Sequence, residues 1–148
     1  KIELNQQENE SAQDGQSLIL HLEDEVDISR GDVLVQATSP AQQARNLEAD
    51  IAWFDQKPLD TTQVYLLQNH TKQTRIKVAE VAYKYDVNTQ EKVYGEELKL
   101  NDIGKIHIKA AEDVVFDPKA VLPENSRAII IDPRTNITVG ALLIVGEA

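Results

Sequence analysis

An all-β fold, a barrel or a sandwich, is what this sequence predicts, and three observations predict it. Apolar and polar residues alternate strictly in segments such as Leu47-Glu-Ala-Asp-Ile-Ala-Trp53. Strand-like runs recur at short intervals, separated by Gly, Pro, Asn and Asp turns, and almost no stretch carries the 3.6-residue helical period. Nothing repeats at a solenoid spacing. At 148 residues the chain is about one domain, or a domain plus part of another, and can bury a core without disulfide staples.

Taken in order, Asn5–Gln16 reads as a polar loop. Ser17–Leu22 then reads as a buried strand, Glu23–Asp32 as an acidic turn, and Val33–Ala37 as another strand. Two or three strands in ~40 residues cannot close a barrel or build an independent core. Residues 1–38 are therefore expected to be the remnant of a larger domain, residues 39–45 a linker around Ser39-Pro40, and residues 46–148 a domain of their own. In that domain Leu47, Ala49, Ile51 and Trp53 share one strand face. Pro58 and Asp60 turn the chain, Val64–Leu67 begins the next strand, and Gln68–Lys72 forms a loop. Along Gln73–Tyr85 the apolar positions change phase, from Ile76 and Val78 to Val81, Tyr83 and Tyr85. One extra residue near Ala79-Glu80, a β-bulge, accounts for the change. Asp86–Glu96 is a long polar connection. Leu98 and Leu100 are in phase with Ile106 and Ile108 across a turn at Asn101–Gly104, and Ala128–Ile131 and Thr138–Val145 form a hairpin through Asp132–Asn136.

Composition narrows the function classes. The net charge of −10 argues against nucleic acid, whose phosphates demand clustered Lys and Arg, and against an anionic membrane surface. With no cysteine, disulfides, thiol nucleophiles and thiolate metal sites are excluded. No apolar run is long enough to span a bilayer as a helix. The sequons at Asn9, Asn69 and Asn136 are the kind that arise by chance.

The search for chemistry assigns no catalytic, cofactor-binding or metal-ligating residue. No P-loop spacing is present. Asp86, Asn88, Gln90 and Glu97 match some EF-hand ligand positions, but Glu91 stands where the loop needs glycine. His21, His70 and His107 are scattered, and Ser29, Ser39 and Ser126 lack a nucleophile elbow. The carboxylate pairs Glu96-Glu97 and Glu112-Asp113 are neighbours in sequence, which on a strand face opposite ways. Arg30-Gly31-Asp32 has the letters of an adhesion motif, yet Gly31 there is expected to supply a turn leading into Val33-Leu-Val35. Gly140, inside an apolar strand, is expected to mark close approach by another backbone.

Several segments, in this order, resemble one family. They are Leu22–Leu34, Leu47–Trp53, Tyr83–Thr89, Glu97–Gly104, Phe116-Asp-Pro118, Ile129–Asp132 and Thr135–Ala141. Together they resemble the C-terminal part of the large, GTP-hydrolysing subunit of bacterial sulfate adenylyltransferase, a relative of elongation factor Tu. The sequence departs from the family pattern at Leu122–Ser126 and at Leu142-Leu143. The resemblance implies a closed antiparallel six-stranded β-barrel of the elongation factor Tu domain 3 type, preceded by a partial barrel from domain 2. It implies a cytoplasmic protein of sulfate assimilation, whose parent couples GTP hydrolysis to synthesis of adenosine 5′-phosphosulfate from ATP and sulfate. GTP and Mg would belong to the parent's GTPase domain and adenylylation to a small catalytic subunit. Both are expected partners of this barrel, which by itself is expected to be inactive.

Two other readings stay open: a translation-factor barrel that binds tRNA, which demands a basic strip, and a free-standing protein-binding or adhesion module. The strands around Leu18–Leu22 and Val33–Ala37 lack barrel partners and would present open edges. They are expected to pack on residues 46–148 or to pair with a second copy, giving a homodimer.

Overall fold

The computed structural model describes residues 1–148 and divides them between a small N-terminal sheet and a β-barrel. The elements in chain order are β1 Ile2–Leu4, β2 Gln7–Asn9, β3 Ile19–Leu20, β4 Gln42–Trp53, β5 Tyr65–Asn69, β6 Lys72–Tyr85, β7 Lys92–Val93, β8 Ile103–Phe116, a 3-10 turn at Pro123–Ser126, β9 Arg127–Asp132 and β10 Ile137–Glu147. The barrel strands run in the order β5-β9-β10-β4-β8-β6, and β5 also pairs with β6, so six antiparallel strands close into a ring. The two-residue β7 adds to the end of β6 outside that ring.

Alternation places the core. Leu47, Ala49, Ile51 and Trp53 on β4 are 1% exposed or less, with Glu48 and Asp50 between them on the outer face. Ile76 and Val78, Ile106 and Ile108, Ile130, and Leu142 and Ile144 join them from the other strands. One cluster of 20 buried residues results, all of them between Ala44 and Ile144. At roughly 1.5–3 kcal/mol for each large side chain withdrawn from water, the barrel supplies its own core and takes none of it from the first 41 residues.

The bulge expected near Ala79-Glu80 is present: Val78 faces Ile108 and Glu80 faces His107, leaving Ala79 unmatched. A second bulge follows at Ala82, between Val81 and Tyr83. It carries Tyr83 and Tyr85 out of phase with Val81, onto the outer surface. Gly140 behaves as expected, because a Cβ there would sit 3.3 Å from the Ala52 carbonyl and 3.4 Å from the Trp53 ring.

Other expectations need correction. Residues 2–9, read partly as loop, form a hairpin through Asn5 and Gln6, both with positive φ (50° and 65°). That is the backbone demand of a tight type I′ turn. Only Ile19 and Leu20 of the expected strand 17–22 are in a ladder, against β1. Val33–Ala37 is not a strand at all, because no neighbouring edge is there to accept its hydrogen bonds. β4 begins at Gln42, inside the stretch expected as a linker. The expected loop Gln68–Lys72 shrinks to His70 and Thr71, since β5 runs to Asn69 and β6 starts at Lys72.

Leu98 and Leu100 lie in a coil rather than a strand. Leu98 is fully buried and Leu100 is exposed. The coil corks one end of the barrel. The Leu59 N–H donates to the Leu98 carbonyl (2.9 Å), Trp53 N–H donates to Asp102 O (3.0 Å), and Asn101 N–H donates to Trp53 O (2.9 Å). Trp53 Nε1 donates to Lys57 O at 2.8 Å, its ring meets Tyr65 edge-on at 5.8 Å, and the Tyr65 hydroxyl accepts the Asp60 N–H. Aromatic bulk fills that mouth, and every polar handle on it finds a partner.

Candidate functional site

Most residues weighed from the sequence are held by a local structural task. Asp86 is occupied within its own hairpin, where one carboxylate oxygen accepts from Asn88 N–H (2.8 Å) and Thr89 N–H (3.3 Å). Gln90 closes that turn at φ 58°, with its N–H on Asp86 O at 2.7 Å. This is the geometry of an Asx-supported turn leading into β7. The histidines lie far apart in the fold: His21 meets Glu3 at 2.8 Å, His107 meets Glu80 at 2.6 Å, and His70 sits at the β5–β6 turn with φ 54°. Ser126 donates to Pro123 O at 2.8 Å inside the 3-10 turn. Asn69 is buried, unlike the other two sequon asparagines, so a glycan cannot be attached there without unfolding the β5 end.

Gly31 does form a turn (φ 99°), with Asp32 N–H on Ser29 O and Ser29 N–H on the Asp32 carboxylate. It touches the Lys72 side chain instead of leading a strand. Residues 26–35 thus cross the second mouth of the barrel as a strap. Gaps remain beneath it, including a cavity of about 640 Å³ reached by Leu67, Asn69, Thr74 and Val114 from the barrel. The Asn69 Nδ2 donates to Val115 O at 3.3 Å, while its Oδ1 finds no partner. Val26, Ile28, Leu34 and Val35 keep much of their apolar surface exposed.

Two charged clusters brace the opposite end. Asp132 accepts from Arg134 N–H at 2.9 Å and meets the Arg134 guanidinium at 3.4 Å. Burial pushes the Asp132 carboxyl up, but these contacts outweigh it and hold the group below its ordinary value. Lys84 is gripped by Glu96 (2.9 Å) and Asp102 (3.4 Å). The Glu96 contact is the largest cause of its raised pKa, acting against partial desolvation.

The feature that sequence reasoning missed is an aromatic cluster on the outer face beside β7. Tyr83 meets Tyr85 at 5.3 Å and Tyr94 at 5.9 Å between ring centroids, and Lys92 Nζ lies 4.6 Å above the Tyr83 ring. The Tyr83–Tyr85 hydroxyl contact, then Lys105 and Lys92, hold the Tyr83 phenol below its usual value despite some desolvation, and Tyr85 is raised in turn. The signal was the phase of Tyr83 and Tyr85, which the second bulge reverses.

A closed barrel of this size and strand order has known relatives. Residues 46–145 match the family described as GTP-eEF1A C-terminal domain-like. This chain belongs to that family. Curated relatives named sulfate adenylyltransferase subunit 1 extend the match beyond the barrel. The one from Shewanella oneidensis is 39% identical over 136 residues, covering 88% of this chain and 28% of that protein. The one from Aeromonas salmonicida is 37% identical over 136 residues, covering 92% and 29%. Bacteroides fragilis supplies another at 35% over 130 residues, covering 88% and 27%. The chain thus spans under a third of the length of these relatives. Among solved structures, sup35 complexed with GDP matches with a TM-score of 0.66 at 16% identity, over 76% of this chain and 28% of that one. The agreement with sup35 is one of fold alone.

Proposed function

We propose that this chain is a non-catalytic β-barrel segment of sulfate adenylyltransferase subunit 1. In this reading the complete subunit couples GTP hydrolysis to synthesis of adenosine 5′-phosphosulfate from ATP and sulfate, in the cytoplasm. The observation that carries it is the 39% identity, over 88% of the chain, to a protein of that name. A core of aliphatic and aromatic side chains, with Asp86, Asp132 and Lys84 engaged in turns and ion pairs, supports a scaffolding role. GTP and Mg would be held by a GTPase domain whose motifs this sequence does not contain. Residues 1–38 would be the tail of the preceding barrel, and the apolar strap at residues 26–35 would be covered by the rest of that domain.

Coupling between two nucleotide sites requires an element whose contacts differ between nucleotide states. The barrel's contacts with the GTPase domain and with the companion catalytic subunit are the surfaces for this. The test mixes the purified chain with that companion subunit in a calorimeter and on a gel-filtration column. Complex formation supports direct docking. Two independent species, with no heat of binding, would remove it.

A further inference from the structure

The outer face of the β6–β8 ladder carries two anomalies. The chain carries ten more acids than bases, and seven of its 15 Lys and Arg residues form an ion pair, among them Arg45 with Asp113, Lys72 with Glu112 and Lys105 with Glu48 and Asp50. Lys77 and Lys109 have no such partner, although they face each other directly across the ladder. On its other side Lys109 faces Asn46. Arg75, two residues before Lys77 on the same face of β6, is also unpaired. Like charges placed opposite each other weaken a ladder. A single Lys-to-Glu change would relieve this pair.

The second anomaly lies further along the same face. Tyr83, opposite Lys105, starts the aromatic cluster with Tyr85 and Tyr94, and Tyr94 is 67% exposed. Lys92, above the Tyr83 ring, forms no ion pair either. One face of β6, β7 and β8 therefore presents Arg75, Lys77, Lys109 and Lys92 without ion-pair partners, with the Glu80–His107 contact among them and three tyrosines at one end. From Arg75 to Tyr85 it is about 33 Å long at ~3.3 Å per residue, and two or three strands wide at ~4.8 Å each. Tyrosine and cationic side chains on a rigid sheet are the composition of a protein-docking hot spot.

We infer that this face docks a protein partner whose matching surface is acidic, with an apolar or aromatic side chain seated against the exposed Tyr94. A polyanionic nucleic acid fits less well. The tyrosine rings pack edge-on against one another, and the Tyr83 face is already covered by Lys92, leaving little flat surface for a base to stack on. The plan area, roughly 400 Å², is about half of one side of a standard interface, so this is a transient dock or one part of a larger contact.

The inference deepens the scaffold reading, but its test does not use the companion subunit. The ¹⁵N-labelled chain is titrated with the peptide acetyl-Glu-Asp-Trp-Glu-Glu-amide, and separately with a 12-nucleotide single-stranded RNA, at low and at physiological salt. Expected are peptide-induced shifts at Arg75, Lys77, Lys109, Tyr83 and Tyr94 that weaken with salt, and RNA binding weaker than peptide binding. The variant Lys77→Glu should melt at or above the wild-type temperature, because it gains a cross-strand partner in Lys109. Combined with Lys109→Glu it should weaken the peptide by about tenfold, and Tyr94→Ala should weaken it by several-fold at unchanged stability. Shifts that are absent or map to the strap at residues 26–35, tighter binding of the RNA, or a double variant that binds like wild type would each overturn the assignment. A negative mixing experiment with the companion subunit would count against the scaffold reading alone.

Discussion

Gly104 opens β8 at the seam with β6, where it pairs with Lys84, and its replacement by alanine tests how tightly the barrel is closed there. A Cβ at this position would lie 2.5 Å from the Tyr83 carbonyl oxygen, 3.1 Å from Lys84 Cα and 3.1 Å from a Leu98 methyl carbon. An ordinary carbon–oxygen contact between strands is ~3.3–3.6 Å, so the carbonyl must retreat by roughly 0.8 Å. Two of the three obstructing atoms are backbone in a closed ring, and the third is the cork of the barrel. Only the Leu98 methyl ends a side chain, and its full burial leaves it little room to move. Overpacking of this kind costs about 1–3 kcal/mol, and the stiff surroundings place it in the upper half of that range. The stiffer unfolded chain of alanine returns about 0.4–1 kcal/mol, leaving a net loss of roughly 1–2.6 kcal/mol. For a ~100-residue barrel the melting temperature should fall by about 10 °C. Urea unfolding followed by circular dichroism should show a lower midpoint at unchanged slope. Gly146→Ala is the control, because nothing lies within 4 Å of its Cβ and it should be neutral or gain up to about 1 kcal/mol. If Gly104→Ala unfolds at the same urea concentration as Gly146→Ala, the seam is looser than described and the reasoning is wrong.

Three further outcomes are expected. Deleting residues 1–41 should leave the melting temperature of the barrel within a few degrees of the full chain, since every member of the core cluster lies between Ala44 and Ile144; loss of cooperative unfolding would show that the two parts form one unit. Leu98→Ala should cost about 3 kcal/mol, because the side chain is fully buried in the cork, and near-ultraviolet circular dichroism of Trp53 should report the loosened end; an unchanged melt would contradict that packing. On the acid side, the folded-state pKa of Asp132 is below its unfolded value. Its stabilisation is therefore present above the unfolded carboxylate value of ~3.9 and is lost as pH falls through the folded one. Asp132→Asn should be less stable than wild type at pH 7 and lose less on going to pH 3, as read from urea midpoints at the two pH values; parallel pH profiles would remove Asp132 from the acid transition.

Much of the barrel was legible because its signals are local. The inward set on β4, the β9–β10 hairpin and the bulge at Ala79 each follow from side-chain alternation within a few residues. What failed was pairing. Val33–Ala37 has the composition of a strand but no edge to join, while the polar residues 7–9 form one because Asn5 and Gln6 fold them back on Ile2–Leu4. Leu98 was in phase with Ile106, yet it is a buried plug in a coil. The aromatic–cationic face was hidden for a related reason: Lys77 and Lys109 are 32 residues apart, and only the register between β6 and β8 sets them opposite each other.

By itself the sequence determined the fold class, the inward-facing residues of the longest strands and the family, since periodicity and motif order are properties of the chain alone. The tertiary structure decided which strands exist, which end of the barrel is corked, and which surface carries cations without ion-pair partners. Those depend on hydrogen bonds and Coulombic contacts between residues far apart in sequence, and such energies are fixed only once the ring closes.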